Sequence, residues 1–252
     1  RGSFAMRMTG NTIFITVGGW GIGQGLARAF HALGNKVIIA GRRKGPLLAM
    51  AQTHPGMDFR EIDLRDPLGI AEAADWLVMT HPGVNVLINN AGIMAGDGTG
   101  GFMDDDLTRA LVETNLLGPI RMTSALVEHL KTQARAAVVN VTSGLAFTPL
   151  AHSAVYSATK AALHSWTLSL RFRLQGESVR VLELAPPWVR TDLIGSRDEP
   201  RAMPLDAFIA EAMEQFASGA DEILVERVRM LRANPGPDEW AFVDQFNSRS
   251  AP

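Results

Sequence analysis

Six short runs rich in apolar and β-branched residues, at 11–17, 36–40, 57–62, 85–89, 137–141 and 179–184, alternate with longer segments of helical period. A helix between successive strands supplies the crossover that a parallel pair needs, and near-continuous apolar strands mark a sheet buried on both faces. Right-handed crossovers then predict an α/β fold, a single-domain doubly wound parallel sheet with helices on both faces.

The spacing predicts helices over 22–33, 46–53, 67–80, 104–132, 153–175 and 204–216. Gly34 stops the first, and His-Pro-Gly at 54–56 and 81–83 stops the next two. Three aspartates at 104–106 suit the positive end of the long fourth helix, which should kink near Gly118-Pro119. A last edge strand is expected at 222–225, a short helix at 228–232 and an irregular tail from Asn234. No linker or repeat divides the 252 residues, so 8–252 is expected to be one domain, with a substrate-loop and lid region about 188–216. Residues 1–7 are expected to be a tag remnant or disordered start, with native sequence from Met6 or Met8.

Composition narrows the function. A net charge of −2 offers no basic footprint for nucleic acid, and no apolar run approaches the ~18–20 residues that span a bilayer. With no cysteine, a thiolate nucleophile or metal site is excluded. The six histidines are scattered without metal-ligand spacing, so no metal is expected. No secretory leader is visible, and a cytoplasmic location is the expectation. One residue type is nearly absent: Tyr156 is the sole tyrosine, and Lys160 is one of four lysines.

In a doubly wound sheet the ligand sits at the carboxyl ends of the strands. The first strand runs into Thr16-Val17-Gly18-Gly19-Trp20-Gly21-Ile22-Gly23, and a helix begins at once. Glycines let the backbone approach a pyrophosphate, and the helix start offers amide donors, so a nucleotide site is expected. The stretch resembles the T-G-x-x-x-G-I-G loop of the short-chain dehydrogenase/reductase family, with Thr16, Gly21, Ile22 and Gly23 matching. That resemblance implies a Rossmann-type dinucleotide fold. Val17 replaces the first glycine of the pattern, and since a β-branched residue avoids positive φ, Gly18 or Gly19 is expected to make the bend.

The second strand ends Ala40-Gly41-Arg42-Arg43-Lys44. NAD sites place an acid there for the ribose 2′-hydroxyl, whereas arginine suits a 2′-phosphate. Gly41 occupies the acid's position, so NADP(H) is expected in preference to NAD(H), with Arg42 ahead of Arg43. By the resemblance, Asp63-Leu64 meets the adenine ring, and Asn89-Asn90-Ala91-Gly92 supports the sheet and lines the cofactor channel. Ala185-Pro186-Pro187-Trp188-Val189-Arg190-Thr191 is similar to the P-G-x-V-x-T segment, where Val189 and Thr191 would orient the nicotinamide carboxamide. Pro187 replaces its glycine, a form similar to a DltE-like bacterial subgroup of the family.

Tyr156 and Lys160 stand four residues apart on one helical face. A phenol of pKa about 10 is a poor acid–base catalyst near neutrality, and the neighbouring ammonium together with an oxidised nicotinamide ring should pull it down. Ser143 closes a strand thirteen residues earlier and is expected to donate to the substrate oxygen. The resemblance adds Asn115, whose position holds a water linking the lysine to solvent. It implies an oxidoreductase that passes hydride between nicotinamide and a carbonyl or alcohol.

The substrate pocket is expected from Met94, Leu145, Phe147, Trp188 and Leu193, with Leu150 beside them, which suits a small or medium hydrophobic substrate. His152 lies near Tyr156 but reads more simply as a loop residue. A serine hydrolase is set aside because Thr142-Ser143-Gly144 lacks the first glycine of G-x-S-x-G. The alternative of another class is a non-catalytic NADP(H)-binding sensor or scaffold, which Val17 and Pro187 keep open. Apolar residues on several sides of the two long helices (Leu163, Trp166, Leu170, Phe172 and Leu174 on the second) predict a homodimer or homotetramer.

Overall fold

The computed structural model describes residues 5–17, 21–191 and 198–250. Seven strands form one parallel sheet: β1 (Thr12–Thr16), β2 (Lys36–Gly41), β3 (Asp58–Glu61), β4 (Val86–Asn89), β5 (Ala136–Val141), β6 (Val179–Leu184) and β7 (Glu222–Ile223). Their order, β3-β2-β1-β4-β5-β6-β7, puts the switch point between β1 and β4, where the ligand crevice of such a sheet opens. Every strand ends on that same edge.

The helices are α1 (Ile22–Ala32), α2 (Lys44–Thr53), α3 (Pro67–Thr80), α4 (Asp105–Val112), α5 (Gly118–Lys131), α6 (Ala154–Arg173), α7 (Leu205–Ala217), α8 (Glu226–Arg232) and α9 (Glu239–Ser250). Strand alternation splits the core in two. Ile13, Ile15, Val37 and Ile39 face α1, α2 and α7, whereas Phe14, Ile38, Leu87 and Val138 face α3 and α5. Phe30 of α1 and Phe216 of α7 meet edge to face at 5.7 Å, so α7 belongs to the core and not to a movable flap. Met6, within the stretch expected to lie outside the fold, is buried in the same layer.

Other expectations change in detail. Asp104 caps α4 by accepting from the Leu107 amide, but the long helix deforms at a π-helical turn, Glu113–Leu117, just before Gly118-Pro119. Pro119 then sits in the first turn of α5, where its missing N–H costs nothing. The tail is not irregular, since α9 follows Pro235-Gly236-Pro237. On α6, Leu163 and Leu174 face the interior, while Leu168 and Phe172 stay exposed.

Buried amides cross the sheet in a chain. Asn89 Nδ2 donates to Thr123 Oγ1 at 3.0 Å and to Asn140 Oδ1 at 2.9 Å, and Asn140 Nδ2 donates to Thr167 Oγ1 at 3.0 Å. This pins α5 and α6 to β4 and β5 in an interior where an unpaired amide costs about 1–3 kcal/mol. Asn140→Leu removes one buried hydrogen bond each from Asn89 and Thr167 and is expected to lower stability by about 1–3 kcal/mol. Urea unfolding would show it as a lower midpoint at constant slope; an unchanged midpoint would contradict the role given to this chain.

Candidate active site

The floor of the crevice is stitched at the switch point. Thr16 Oγ1 accepts from the amides of Asn90 (3.1 Å) and Ala91 (3.0 Å), and Asn90 Nδ2 donates to the Thr16 carbonyl at 3.2 Å. Gly21 has φ +148°, and a Cβ there would meet Thr191 Cγ2 at 2.7 Å. A Cβ on Gly23 would meet Asn90 Nδ2 at 2.3 Å. Ile22 begins α1 between them. Gly21 and Gly23, the end of β4 and Thr191 after β6 therefore close on one another with room for backbone alone at the two glycines. Val17 continues the line of β1, its amide donating to the Ala40 carbonyl at 2.8 Å. Gly18, expected to bend the loop, lies outside the described residues, as do Gly19 and Trp20.

Tyr156 and Lys160 face the sheet from α6, both buried. The Tyr156 phenol lies near enough to the Ser143 hydroxyl for the latter to favour its phenolate, and Ser143 Oγ accepts from the Leu145 amide at 3.1 Å. Lys160 Nζ donates to the Val141 carbonyl at 3.0 Å and stands 5.7 Å from the tyrosine ring centroid. Beneath Ser143, the buried Glu183 accepts from Thr142 Oγ1 at 2.7 Å and pairs with His164 Nδ1 at 2.8 Å. Sequence reasoning missed that clamp between β5, β6 and α6, because a lone acid in an apolar strand carries no spacing signal.

Asn115 occupies the π-helical turn. Its amide donates to the Ile93 carbonyl at 2.8 Å and accepts from the Ile93 amide at 2.9 Å, so the side chain holds the chain beyond Gly92 in place. A Cβ on Gly92 would sit 3.2 Å from Asn115 Oδ1 and 3.5 Å from Lys160 Nζ.

The electrostatics correct one expectation. Burial pushes the Tyr156 phenol up to about 12, opposed by the smaller effect of the Ser143 hydroxyl. Burial also pushes the Lys160 ammonium down to about 8. Desolvation of both groups outweighs the pull of the ammonium on the phenol, so the protein by itself keeps the tyrosine protonated.

At the end of β2, Arg42, Arg43 and Lys44 are exposed, and Arg43, not Arg42, lines a narrow cleft with Val17, Gln24 and Gly41. Asp63 is exposed and accepts from the Arg65 amide at 2.9 Å. The Leu64 side chain is buried in the core against Gly118. Pro186 is buried, its carbonyl accepting from the Gly144 amide at 2.8 Å, and Val189 bridges to Met203.

A cavity of about 480 Å³ joins these parts. Met94, Leu145, Leu150 and Trp188 line it as expected. Phe147 does not, since it is turned inward, edge-on to His164 at 4.8 Å with the Arg232 guanidinium 4.6 Å from its ring centroid. Leu193 lies outside the described residues, and His152 is not in the lining. Sequence reasoning missed Arg201, Leu231, Phe246 and Arg249. The last two come from α9, which the Phe242, Val243 and Phe246 spacing could have revealed. Among the described residues no group of three His, Asp or Glu could hold a metal ion, and no helix is long and apolar enough to cross a membrane.

A parallel sheet with a backbone-only loop at its switch point and a Ser-Tyr-Lys set beside it defines a class. The short chain dehydrogenase family model matches residues 11–202, and the chain belongs to that family of oxidoreductases acting on CH–OH or C=O groups. Among relatives, an oxidoreductase named DltE from Bacillus subtilis (strain 168) is 39% identical over 254 residues, covering 97% of this chain and 99% of its own. A short chain dehydrogenase from Burkholderia cenocepacia J2315, solved in complex with NADP, superposes with a TM-score of 0.83 at 26% identity, over 95% of this chain and 98% of that one. A 3-ketoacyl-(acyl-carrier-protein) reductase from Brucella melitensis, complexed with NADH, gives 0.75 at 26% identity, over 81% and 89%.

Because Tyr156 is the only tyrosine, the ultraviolet phenolate signal of the folded protein belongs to it alone. With the phenol raised to about 12, that signal is expected to stay below half its full height at pH about 11. A positive charge brought into the cavity favours phenolate, so saturating NADP⁺ should move the midpoint down. A midpoint at or below that of a free phenol without cofactor would contradict the dominance of burial.

Proposed function

We propose that the chain is an NADP(H)-preferring oxidoreductase that transfers hydride between nicotinamide and a small to medium, mostly hydrophobic carbonyl or alcohol. The observation that carries this reading is that Ser143, Tyr156 and Lys160 line one cavity, with Lys160 one helical turn beyond Tyr156 along α6.

The residues present fit a dinucleotide, since Gly21 and Gly23 offer bare backbone to the cavity at the start of α1, where Thr191 and Asn90 leave no room for a Cβ. Gly21, Gly23, Asn90, Gly92, Val189 and Thr191 line the cavity and would hold the dinucleotide, and Arg43, with Arg42 beside it, would take the 2′-phosphate. Asp63, exposed beyond β3, would meet the adenine. The nicotinamide, when bound, supplies or accepts the hydride.

The chain's own side chains handle the oxygen and the proton. Ser143 Oγ donates to the carbonyl oxygen and stabilises the charge that gathers there during reduction. Tyr156 delivers its hydroxyl proton to that oxygen and takes it back during oxidation. A phenol kept neutral by burial rests in the form that reduction needs. Lys160, fixed by the Val141 carbonyl, keeps a cation beside the tyrosine at neutral pH, which offsets the phenolate left behind. Asn115, through Ile93, holds the channel wall past Gly92.

Tyr156→Phe is expected to cut turnover about 10²- to 10⁴-fold while leaving NADPH affinity within about twofold. Turnover at the parent rate would sink the mechanism, and a parent protein that binds NADPH yet reduces no carbonyl would favour the sensor reading. Replacing Arg42 and Arg43 together by serine removes charge-assisted bonds and should raise KM for NADPH about ten- to hundredfold with little change for NADH. Equal losses with both cofactors would overturn the NADP preference.

A further inference from the structure

Arg249 stands on the last turn of α9, lines the catalytic cavity and remains exposed. The helix that carries it is anchored. Asn247 Oδ1 accepts from the Ala151 amide and Asn247 Nδ2 donates to the Pro149 carbonyl at 3.0 Å, so one side chain satisfies two backbone groups of the loop after β5. Thr148 Oγ1, in the same loop, donates to the Leu231 carbonyl of α8 at 3.1 Å. Phe246 lies one turn before Arg249 and faces the same cavity. These bonds hold the helix that carries Arg249 against the loop that starts from Ser143.

The charge in the cavity is one-sided. Lys160, Arg201 and Arg249 line it, and no carboxylate of a described residue does. Lys160 is buried beside the tyrosine, and Arg201 is paired with Glu199 at 2.8 Å while lying over the Trp188 ring. Arg249 has no carboxylate partner among the described residues. Leu145, Leu150, Leu231 and Phe246 line the same cavity as Arg249 and the Ser143–Tyr156 pair and give it apolar walls.

We propose that the substrate is a short oxo acid, or the matching hydroxy acid. Its carbonyl or hydroxyl meets Ser143 and Tyr156, its apolar body lies along these walls, and its anionic head is held by Arg249. A guanidinium grips a carboxylate or sulfonate through two parallel hydrogen bonds, which neither a neutral ester nor an amide can reproduce. The proposal rests on the carbonyl–alcohol reading of this site and names the substrate class within it.

The full chain with NADP⁺ bound, so that no ketone is reduced, is titrated by calorimetry with levulinate, its methyl ester and homologous short oxo acids and esters. NADPH oxidation by the same compounds is followed in parallel. At least one oxo acid is expected to bind about tenfold more tightly than its ester. Arg249→Met should erase that preference, Arg249→Lys should keep part of it, and NADPH affinity should be unchanged in both. Acids binding no tighter than their esters would overturn the proposal. So would an acid preference that survives Arg249→Met, or a loss of NADPH affinity in that variant, which would assign the guanidinium to the cofactor. Acid-selective binding without NADPH oxidation would leave the anion site standing and overturn the oxidoreductase reading instead.

Discussion

The chain of buried hydrogen bonds from Thr123 through Asn89 and Asn140 to Thr167 governs the geometry of everything above it. It fixes α6 against β5, and only in that position does Tyr156 reach Ser143, which belongs to the turn that follows β5. Slippage by one helical turn would move Tyr156 about 5.4 Å and leave Asn140 unpaired in a dry interior. Polar residues inside this sheet thus supply position, whereas the apolar layers on its two faces supply most of the stability.

The same dryness sets the protonation states. Removing water from a phenol and an ammonium in one cavity favours the neutral form of each, so the two values move towards states opposite to those of an exposed ion pair. A Tyr-x-x-x-Lys spacing places the groups on one face but says nothing of how deeply they sink. Desolvation depends on what covers them, and the cover comes from segments far apart in sequence.

The substrate side shows how far legibility extended. Met94, Leu145 and Trp188 could be read from their nearness to the motifs, and all three line the cavity. Phe147 looked equivalent to Leu145, yet the 3₁₀ turn Gly144–Ala146 rotates it inward against His164. The α9 contribution was hidden because its docking spans 98 residues, through a single asparagine that in sequence is one polar residue among many.

The strand and helix alternation, the parallel sheet, the Gly21-Ile22-Gly23 turn and the shared face of Tyr156 and Lys160 were legible in the residues alone. Those features rest on local periodicity and on spacings within one strand–helix unit, which chain stereochemistry converts directly into shared faces and edges. Which residues around the site point inward, how strongly burial shifts Tyr156 and Lys160, and the arrival of Arg249 at the cavity on α9 emerge only in the folded chain. Those depend on packing between distant segments, and that packing follows from the closest fit of whole surfaces, not from any short pattern of residues.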